Sequence, residues 1–120
     1  MMQNDKLPLD ILKLKKSLWN EQDVFIEIAR AMRDDIAERG ARLHQAYLAR
    51  DALKAKQEAH ALRGGLVSVT AVVAAGIAAD LEQLALAAQW EGFDIKLALF
   101  QAETKRVDEQ LQQELATLEG

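Results

Sequence analysis

The sequence predicts an all-α fold, an antiparallel up-down four-helix bundle preceded by a short N-terminal helix. Alanine and leucine, which are strong helix formers, supply 21 and 18 of the 120 residues. One proline and 5% aromatic residues disfavour a sheet. Apolar residues recur every three or four positions, and short connections separate these segments, as in an up-down bundle. We expect one domain over residues 1–120, because globular domains usually span about 100–150 residues.

A short helix is expected near the start of the chain, from about Pro8 to Leu18. Proline suits the first turn of a helix because it lacks an N–H group that would have no partner there. The residues expected to face the core are Leu9, Leu12 and Ile11.

A long helix follows and is expected to end at about Leu48. Asn20 is a good N-cap, and Asp23 then stands at the N3 position, as in a capping box. Gly40 lies inside this helix at a cost of about 1 kcal/mol relative to alanine, and it allows either a continuous helix or a break. The apolar stripe consists of Phe25, Ile28, Met32, Ile36 and Leu43.

The third helix is expected to begin after an N-cap at Asp51. Its apolar positions follow the three- and four-residue steps of a buried helical face. A turn is expected at Ser68–Ala71, because Ser and Thr side chains compete for backbone hydrogen bonds. We reject a strand at Leu66–Val73, since no other segment offers a partner strand. The apolar stripe consists of Ala52, Ala55, Ala59, Leu62, Leu66 and Val69.

Two further helices complete the bundle. The fourth is expected over about Val72–Ala88, and Gly92 is expected to end that segment. Asp94 then caps the last helix. The residues expected inside are Ile77, Leu81, Leu84 and Ala88 in the fourth helix, and Leu97, Phe100, Val107, Leu111 and Leu118 in the fifth.

Composition argues against several classes of function. The chain has no cysteine and two histidines, so it offers no thiol chemistry and little for a histidine-built metal site; His44 is interpreted as a surface residue. A net charge of −4 gives no basic footprint for nucleic acid. Met1–Lys6 is polar, unlike the start of a signal peptide, and the apolar stretch Gly64–Ala79 is shorter than the about 20 residues of a membrane span. We therefore expect a cytoplasmic protein with no nucleic-acid and no membrane partner. We also expect a monomer, since no extended a/d seam is left over after the bundle core.

His60 lies outside the apolar stripe of the third helix. Its neighbours on the helix surface are Lys56, Gln57, Arg63 and Gly64, at three- and four-residue spacing. The ring should therefore face water between two cations, which would stabilise a dianionic group attached to it. The glycine, one turn further along, leaves room for a large partner to approach the ring.

The expected turn places an acidic residue beside this histidine. His60 lies 11 residues before Ala71 and Glu82 lies 11 residues after it, so a helical hairpin brings the two to the same height. Glu82 can then accept a hydrogen bond from the ring Nδ1–H, which leaves Nε2 as the free nucleophile. Plainer interpretations stay open: a solvated helix face, a helix C-terminus at Gly64 and Gly65, and an ordinary surface acid at position 82.

Residues 59–65, Ala-His-Ala-Leu-Arg-Gly-Gly, resemble the A-H-x-L-[KR]-G signature of histidine-containing phosphotransfer (HPt) domains. Such domains occur in hybrid sensor kinases and chemotaxis kinases. The likeness extends to Leu9-Asp10, the long helix Glu21–Leu48, the segment Asp80-Leu81-Glu82 and the closing amphipathic helix. It therefore covers nearly the whole chain.

The resemblance implies that His60 is the phosphoryl acceptor. Arg63 stands where the family usually has lysine, and it would contact the phosphoryl group or an acidic partner site with a planar fork of donors. Gly64 matches a glycine that permits close approach, and Glu82 matches a position that often carries Gln or Glu near the imidazole. Thr70 departs from the pattern, because many members have glycine there, and this concerns the shape of the turn.

The resemblance also implies a reaction and its partners. Nε2 of His60 would attack an aspartyl phosphate in a receiver domain of a hybrid histidine kinase or response regulator, and the reverse step would phosphorylate a second receiver. Mg²⁺ is expected in the receiver; this chain is expected to need no cofactor or metal and, lacking a Gly-rich nucleotide loop, to have no autokinase activity. Partners would dock on the face of His60, with contacts at Leu53, Val67 and Gly65. For Leu53 and Val67 a partly buried core role stays open.

Two other functions stay open. A degenerate HPt-like adaptor would bind a receiver or kinase without accepting phosphate. An unrelated helical structural or oligomerisation module would have His60 buried or packed against another subunit.

Overall fold

Five α-helices form the computed structural model, which describes residues 7–119. Within this range there is no strand, so the predicted all-α class is confirmed. The expectation for Met1–Lys6 falls outside the described residues. The helices are α1 (Ile11–Ser17), α2 (Gln22–Leu48), α3 (Ala52–Ser68), α4 (Val72–Leu86) and α5 (Trp90–Glu119).

The four long helices surround a shared core. α2 packs on α3, α3 on α4, α4 on α5, and α5 back on α2. The predicted stripe of α3 is buried except at Ala52, which is half-buried. No helix between residues 7 and 119 is both long enough and apolar enough to cross a membrane. The largest fully buried side chains are Phe25, Phe93, Leu14, Leu43, Leu62, Leu66, Leu81, Leu111, Val69 and Val107.

The short helix α1 begins at Ile11, three residues after the expected start at Pro8. Asp10 caps it, since its Oδ1 accepts a hydrogen bond at 3.0 Å from a backbone N–H of the first turn. The prediction that Leu12 faces the core is wrong, because this side chain is 76% exposed. Leu14 is buried in its place, since the orientation of α1 on the bundle turns that residue inward.

The predicted N-cap of α2 at Asn20 is also wrong. Asn20 adopts a left-handed backbone conformation, φ 57°, which asparagine tolerates better than most residues. Its N–H donates to the carbonyl of Lys15 at 2.8 Å, so it closes the end of α1. Glu21 precedes α2 in an extended conformation and makes no side-chain cap. From there α2 continues through Gly40 without a break.

The boundary between α4 and α5 differs from the prediction. Gly92 and Asp94 both lie inside α5, which begins at Trp90. The chain turns instead at Ala88, which has φ 52° and is exposed rather than inside. Gly92 serves packing: a Cβ atom there would lie 3.0 Å from Cδ2 of Leu84, so the two helices approach closely at this point.

Both ends of α3 agree with the predictions. Asp51 caps its start, accepting from the N–H of Lys54 at 3.0 Å. A tight turn after Ser68 leads into α4, and Thr70 occupies a left-handed conformation in it, with φ 64°. The turn thus keeps the glycine-like backbone that the resemblance implied, with a β-branched residue in it.

Candidate functional site

His60 lies near the middle of α3, on the outer surface of the bundle. Its side chain is 62% exposed. Its Nδ1 atom faces α4, where Oε2 of Glu82 lies 3.0 Å away. Nε2 forms no hydrogen bond with any residue between 7 and 119. The predicted hairpin geometry therefore brings His60 and Glu82 together.

Glu82 is held on two sides. The residue is buried, with only 7% exposure, although it carries a carboxylate. Its Oε1 accepts from Nε of Arg63 at 2.6 Å, while Oε2 faces His60. A buried carboxylate is costly unless charged donors satisfy it, and Arg63 supplies such a donor. The carboxylate is therefore a fixed support for the exposed ring and not an ordinary surface acid.

Arg63 also contacts the ring directly. Its Nη2 atom lies 3.2 Å from Nδ1 of His60. The guanidinium thus bridges the carboxylate of Glu82 and the imidazole. Its side chain is 41% exposed, so part of it is accessible from the solvent side.

The glycines beside the ring differ in their surroundings. Gly64 is exposed, and a Cβ atom there would meet nothing within 4 Å. Gly65 is half-buried, and its Cβ position lies 3.4 Å from Sδ of Met32 on α2. Both lie inside α3, so they do not form its C-terminus. Gly64 opens space next to His60, whereas Gly65 packs inside the bundle.

Four further predicted positions lie along the same helix. Lys56 is half-buried and Gln57 is exposed, and neither forms a hydrogen bond with the ring. Leu53 and Val67 are 65% and 58% exposed. Their alternative assignment to the core is therefore wrong, and both apolar side chains are open to a partner.

The structure adds an exposed apolar residue that sequence reasoning missed. Leu86 of α4 is 60% exposed and lies one helical turn after Glu82. Its spacing of four residues from Glu82 would have placed it on the same side of α4 from the sequence alone.

A second buried acid, Glu58, lies on α3 and was also missed. It is 5% exposed and accepts from Arg39 and Arg42 of α2 at 3.2 and 3.1 Å. Burial acts to raise the pKa of the Glu58 carboxyl, but these two hydrogen bonds outweigh it and leave the pKa below its ordinary value. This cluster fastens α2 to α3. Its position three residues after Ala55 and four before Leu62 places it on the buried face of α3, but its arginine partners belong to α2 and cannot be identified from α3 alone.

Nothing in residues 7–119 gathers three or more histidine or acidic side chains that could hold a metal ion. His44, the second histidine, is half-buried near Tyr47 and lies 3.4 Å from Nε2 of Gln101. Within residues 7–119 it has neither an acidic nor a cationic partner, in contrast to His60.

Comparison with known proteins gives one informative match. No protein-family model matches the chain, and no curated protein matches it. The crystal structure of histidine-containing phosphotransfer protein B from Pseudomonas aeruginosa PAO1 does match, with a TM-score of 0.85 and 25% sequence identity. The match covers 92% of this chain and 96% of that chain. It supports the resemblance to HPt domains of two-component phosphorelays.

Proposed function

We propose that this HPt domain carries a phosphoryl group on Nε2 of His60 between the aspartates of receiver domains. The observation that carries the proposal is the orientation of the ring. Nδ1 faces the buried Glu82 at 3.0 Å, whereas Nε2, on a side chain that is 62% exposed, has no hydrogen-bond partner among residues 7–119. A histidine held in this way presents a nucleophilic nitrogen to solvent.

The transfer step follows from this geometry. The Nε2 lone pair attacks the phosphorus of the receiver's aspartyl phosphate; an N–P bond forms, the P–O bond breaks, and the aspartate carboxylate leaves. The ring gains positive charge, and Glu82 stabilises it through Nδ1–H. Arg63, the cation in contact with the ring, would meet either the phosphoryl group or acidic side chains of the receiver. In the return step a second receiver's aspartate attacks the same phosphorus.

The chain acts as a carrier and not as an enzyme with its own phosphodonor site. It has no Gly-rich nucleotide loop, so we expect no autokinase activity. Positioning supplies most of the catalysis of phosphoryl transfer, together with Mg²⁺, which we assign to the partner receiver. We place the reaction in the cytoplasm and expect no cofactor in this chain.

Receivers of response regulators and hybrid histidine kinases would dock on the face that carries His60. Leu53 and Val67, one helical repeat before and after it, offer exposed apolar contacts. Lys56 and Gln57 would add polar contacts near the phosphoryl group, whereas Gly65 would act indirectly through the packing of α3 on α2.

The proposal includes the up-down order of the four long helices and a monomeric state. The three connections span residues 49–51, 69–71 and 87–89. Connections this short support antiparallel neighbours, because the chain has no length to return along the bundle.

Transfer of label tests the proposal. We expect a cognate receiver phosphorylated on its aspartate to pass an acid-labile phosphoryl group to the wild-type chain. His60→Gln should accept none, whereas His44→Gln, the matched control, should accept as much as wild type. Label on His60→Gln equal to wild type would contradict the assignment. Binding of the receiver with no acid-labile label would select an adaptor.

A further inference from the structure

Two side chains approach the same ring nitrogen of His60. Oε2 of Glu82 lies 3.0 Å from Nδ1, and Nη2 of Arg63 lies 3.2 Å from it. We propose that Arg63 competes with Glu82 for Nδ1 and thereby sets which ring nitrogen carries the proton. This inference rests on the proposed function for its consequence, but its physical basis is independent of phosphoryl transfer.

The two contacts are mutually exclusive in a neutral ring. A carboxylate only accepts hydrogen bonds, so Glu82 needs a proton on Nδ1. A guanidinium only donates, so Arg63 needs a lone pair there. The neutral imidazole has one protonated nitrogen, and whichever contact forms leaves the other unfavourable. Glu82 therefore favours the Nδ1–H tautomer, and Arg63 favours the Nε2–H tautomer.

The tautomer decides whether His60 can react. With the proton on Nδ1, Nε2 has its lone pair exposed and is nucleophilic. With the proton on Nε2, the exposed nitrogen cannot attack phosphorus. Glu82 therefore favours the reactive tautomer, and Arg63 favours the unreactive one.

The guanidinium has the geometry for this role. Nε donates to Oε1 of Glu82 at 2.6 Å, and this anchor places Nη2 of the same fork near the ring. A lysine offers one ammonium on a flexible stem and has no second donor fixed in this way. Arginine at position 63 is thus a positioning residue in addition to a source of charge.

The competition gives docking a direct effect on reactivity. Arg63 is 41% exposed, so acidic side chains of a docked receiver can compete for its Nη2 group while Nε stays bonded to Glu82. Nδ1–H then bonds to Glu82 unopposed, and Nε2 is left with its lone pair. The unreactive form would be depleted when a partner is in place to supply the phosphoryl group.

Nitrogen NMR measures the tautomers directly. The full chain, labelled with ¹⁵N-histidine, is compared at alkaline pH so that the spectra report the neutral ring of His60. We expect Arg63→Met to raise the ratio of Nδ1–H to Nε2–H by about threefold or more, the scale of an exposed charged contact. Glu82→Ala should lower the ratio by at least as much, because the carboxylate that accepts a hydrogen bond from Nδ1–H is then absent. Lys56→Met, which removes a cation one turn away, should leave the ratio unchanged.

An unchanged ratio in Arg63→Met, or an equal change in Lys56→Met, would overturn the inference. The double variant Arg63→Met/Glu82→Ala should show the ratio of an unperturbed imidazole, and any other result would also count against it. Because none of these measurements uses a phosphodonor, they are independent of the label-transfer test. Failure of transfer with the expected tautomer shifts would reject the proposed function and leave the competition standing.

Discussion

At the scale of single residues, Gly64 is a position where helix stability and the approach of a partner favour different residues. Alanine in a helix interior is about 1 kcal/mol more stable than glycine. A Cβ atom at Gly64 meets nothing within 4 Å, and no glycine in residues 7–119 has a positive φ, so the methyl group fits without strain. The fold therefore does not require a glycine here, and the proposed docking of a partner beside His60 gives a reason for it.

We expect Gly64→Ala to raise the free energy of unfolding by up to about 1 kcal/mol and to slow transfer from a receiver about tenfold. The added methyl group would stand beside the ring in the path of the docking partner. Urea unfolding and single-turnover transfer measure the two effects. Gly40→Ala, in the groove between α2 and α5, should give the gain in stability with no loss of transfer. Equal transfer by both variants would contradict a close approach at Gly64.

The Glu58 carboxyl makes stability depend on pH. Its pKa in the folded state lies below the ordinary value, so its contribution is present at neutral pH and is lost as the pH falls through the folded pKa. We expect Glu58→Gln to destabilise by about 1–2 kcal/mol near pH 7, because its arginine partners are partly exposed and only the acid is buried. The difference from wild type should shrink steadily in more acidic buffers.

Urea unfolding in a series of buffers from pH 7 downward checks the prediction. Glu109→Gln, an exposed acid on α5, serves as the control and should follow wild type at every pH. A constant difference between Glu58→Gln and wild type would mean that packing and not charge accounts for the loss.

At the scale of secondary-structure elements, Thr70 ties the N-terminal segment to the α3–α4 turn. Its Oγ1 accepts from the N–H of Asp10 at 2.9 Å and donates to the carbonyl of Asp10 at 3.1 Å. These bonds offset the strain of a β-branched residue in the left-handed region. They also fix the start of α1, since Asp10 is its N-cap.

We expect Thr70→Val, which keeps the shape and loses both hydrogen bonds, to lower the free energy of unfolding by about 1–3 kcal/mol. Thr70→Ser keeps the hydroxyl and should stay close to wild type. The unfolding midpoints in urea give the comparison. A valine variant as stable as the serine variant would show that the contact with Asp10 contributes nothing.

The boundaries of the elements show what the sequence can and cannot predict. Asp51 caps α3 as predicted, because an N-cap bond is local to four residues. Asn20 was predicted as the N-cap of α2, but its backbone N–H closes the end of α1 instead. Because the two helices are so close in sequence, the local pattern does not show to which of them the residue belongs. Gly92 was predicted to end a helix, yet it lies where Leu84 of α4 comes closest to α5. A close contact between two helices cannot be recognised from the local sequence pattern of either helix.

At the scale of the whole molecule, the pairing of His60 with Glu82 could be predicted because it depends only on the position of the turn between α3 and α4. Two helices joined by a tight turn bring residues equidistant from the turn to the same height. The contacts of Arg63 depend on the rotamers of a long side chain that reaches several neighbours, so the fork between Glu82 and the ring required the structure. Likewise, the burial of Glu58 depends on α2, whose register against α3 the sequence of α3 does not contain.

In the proposed function, the bundle presents Nε2 of His60 to the partner as the reactive nitrogen. Glu82 is buried and held by Arg63, so the ring is supported from inside the fold while the His60 side chain is 62% exposed. The exposed side chains of Leu53 and Val67 flank it. This arrangement suits a carrier whose partners bring the phosphodonor, the acceptor aspartate and the metal ion.

The position of the phosphorus atom tests the account most directly. The chain, labelled with ¹⁵N-histidine, is phosphorylated by a cognate phospho-receiver and its phosphorus is located by ³¹P–¹⁵N correlation. We predict a single phosphoramidate with its phosphorus bonded to Nε2 of His60. Phosphorus on Nδ1, phosphorus on His44, or a receiver that binds without forming any phosphoramidate would contradict the account.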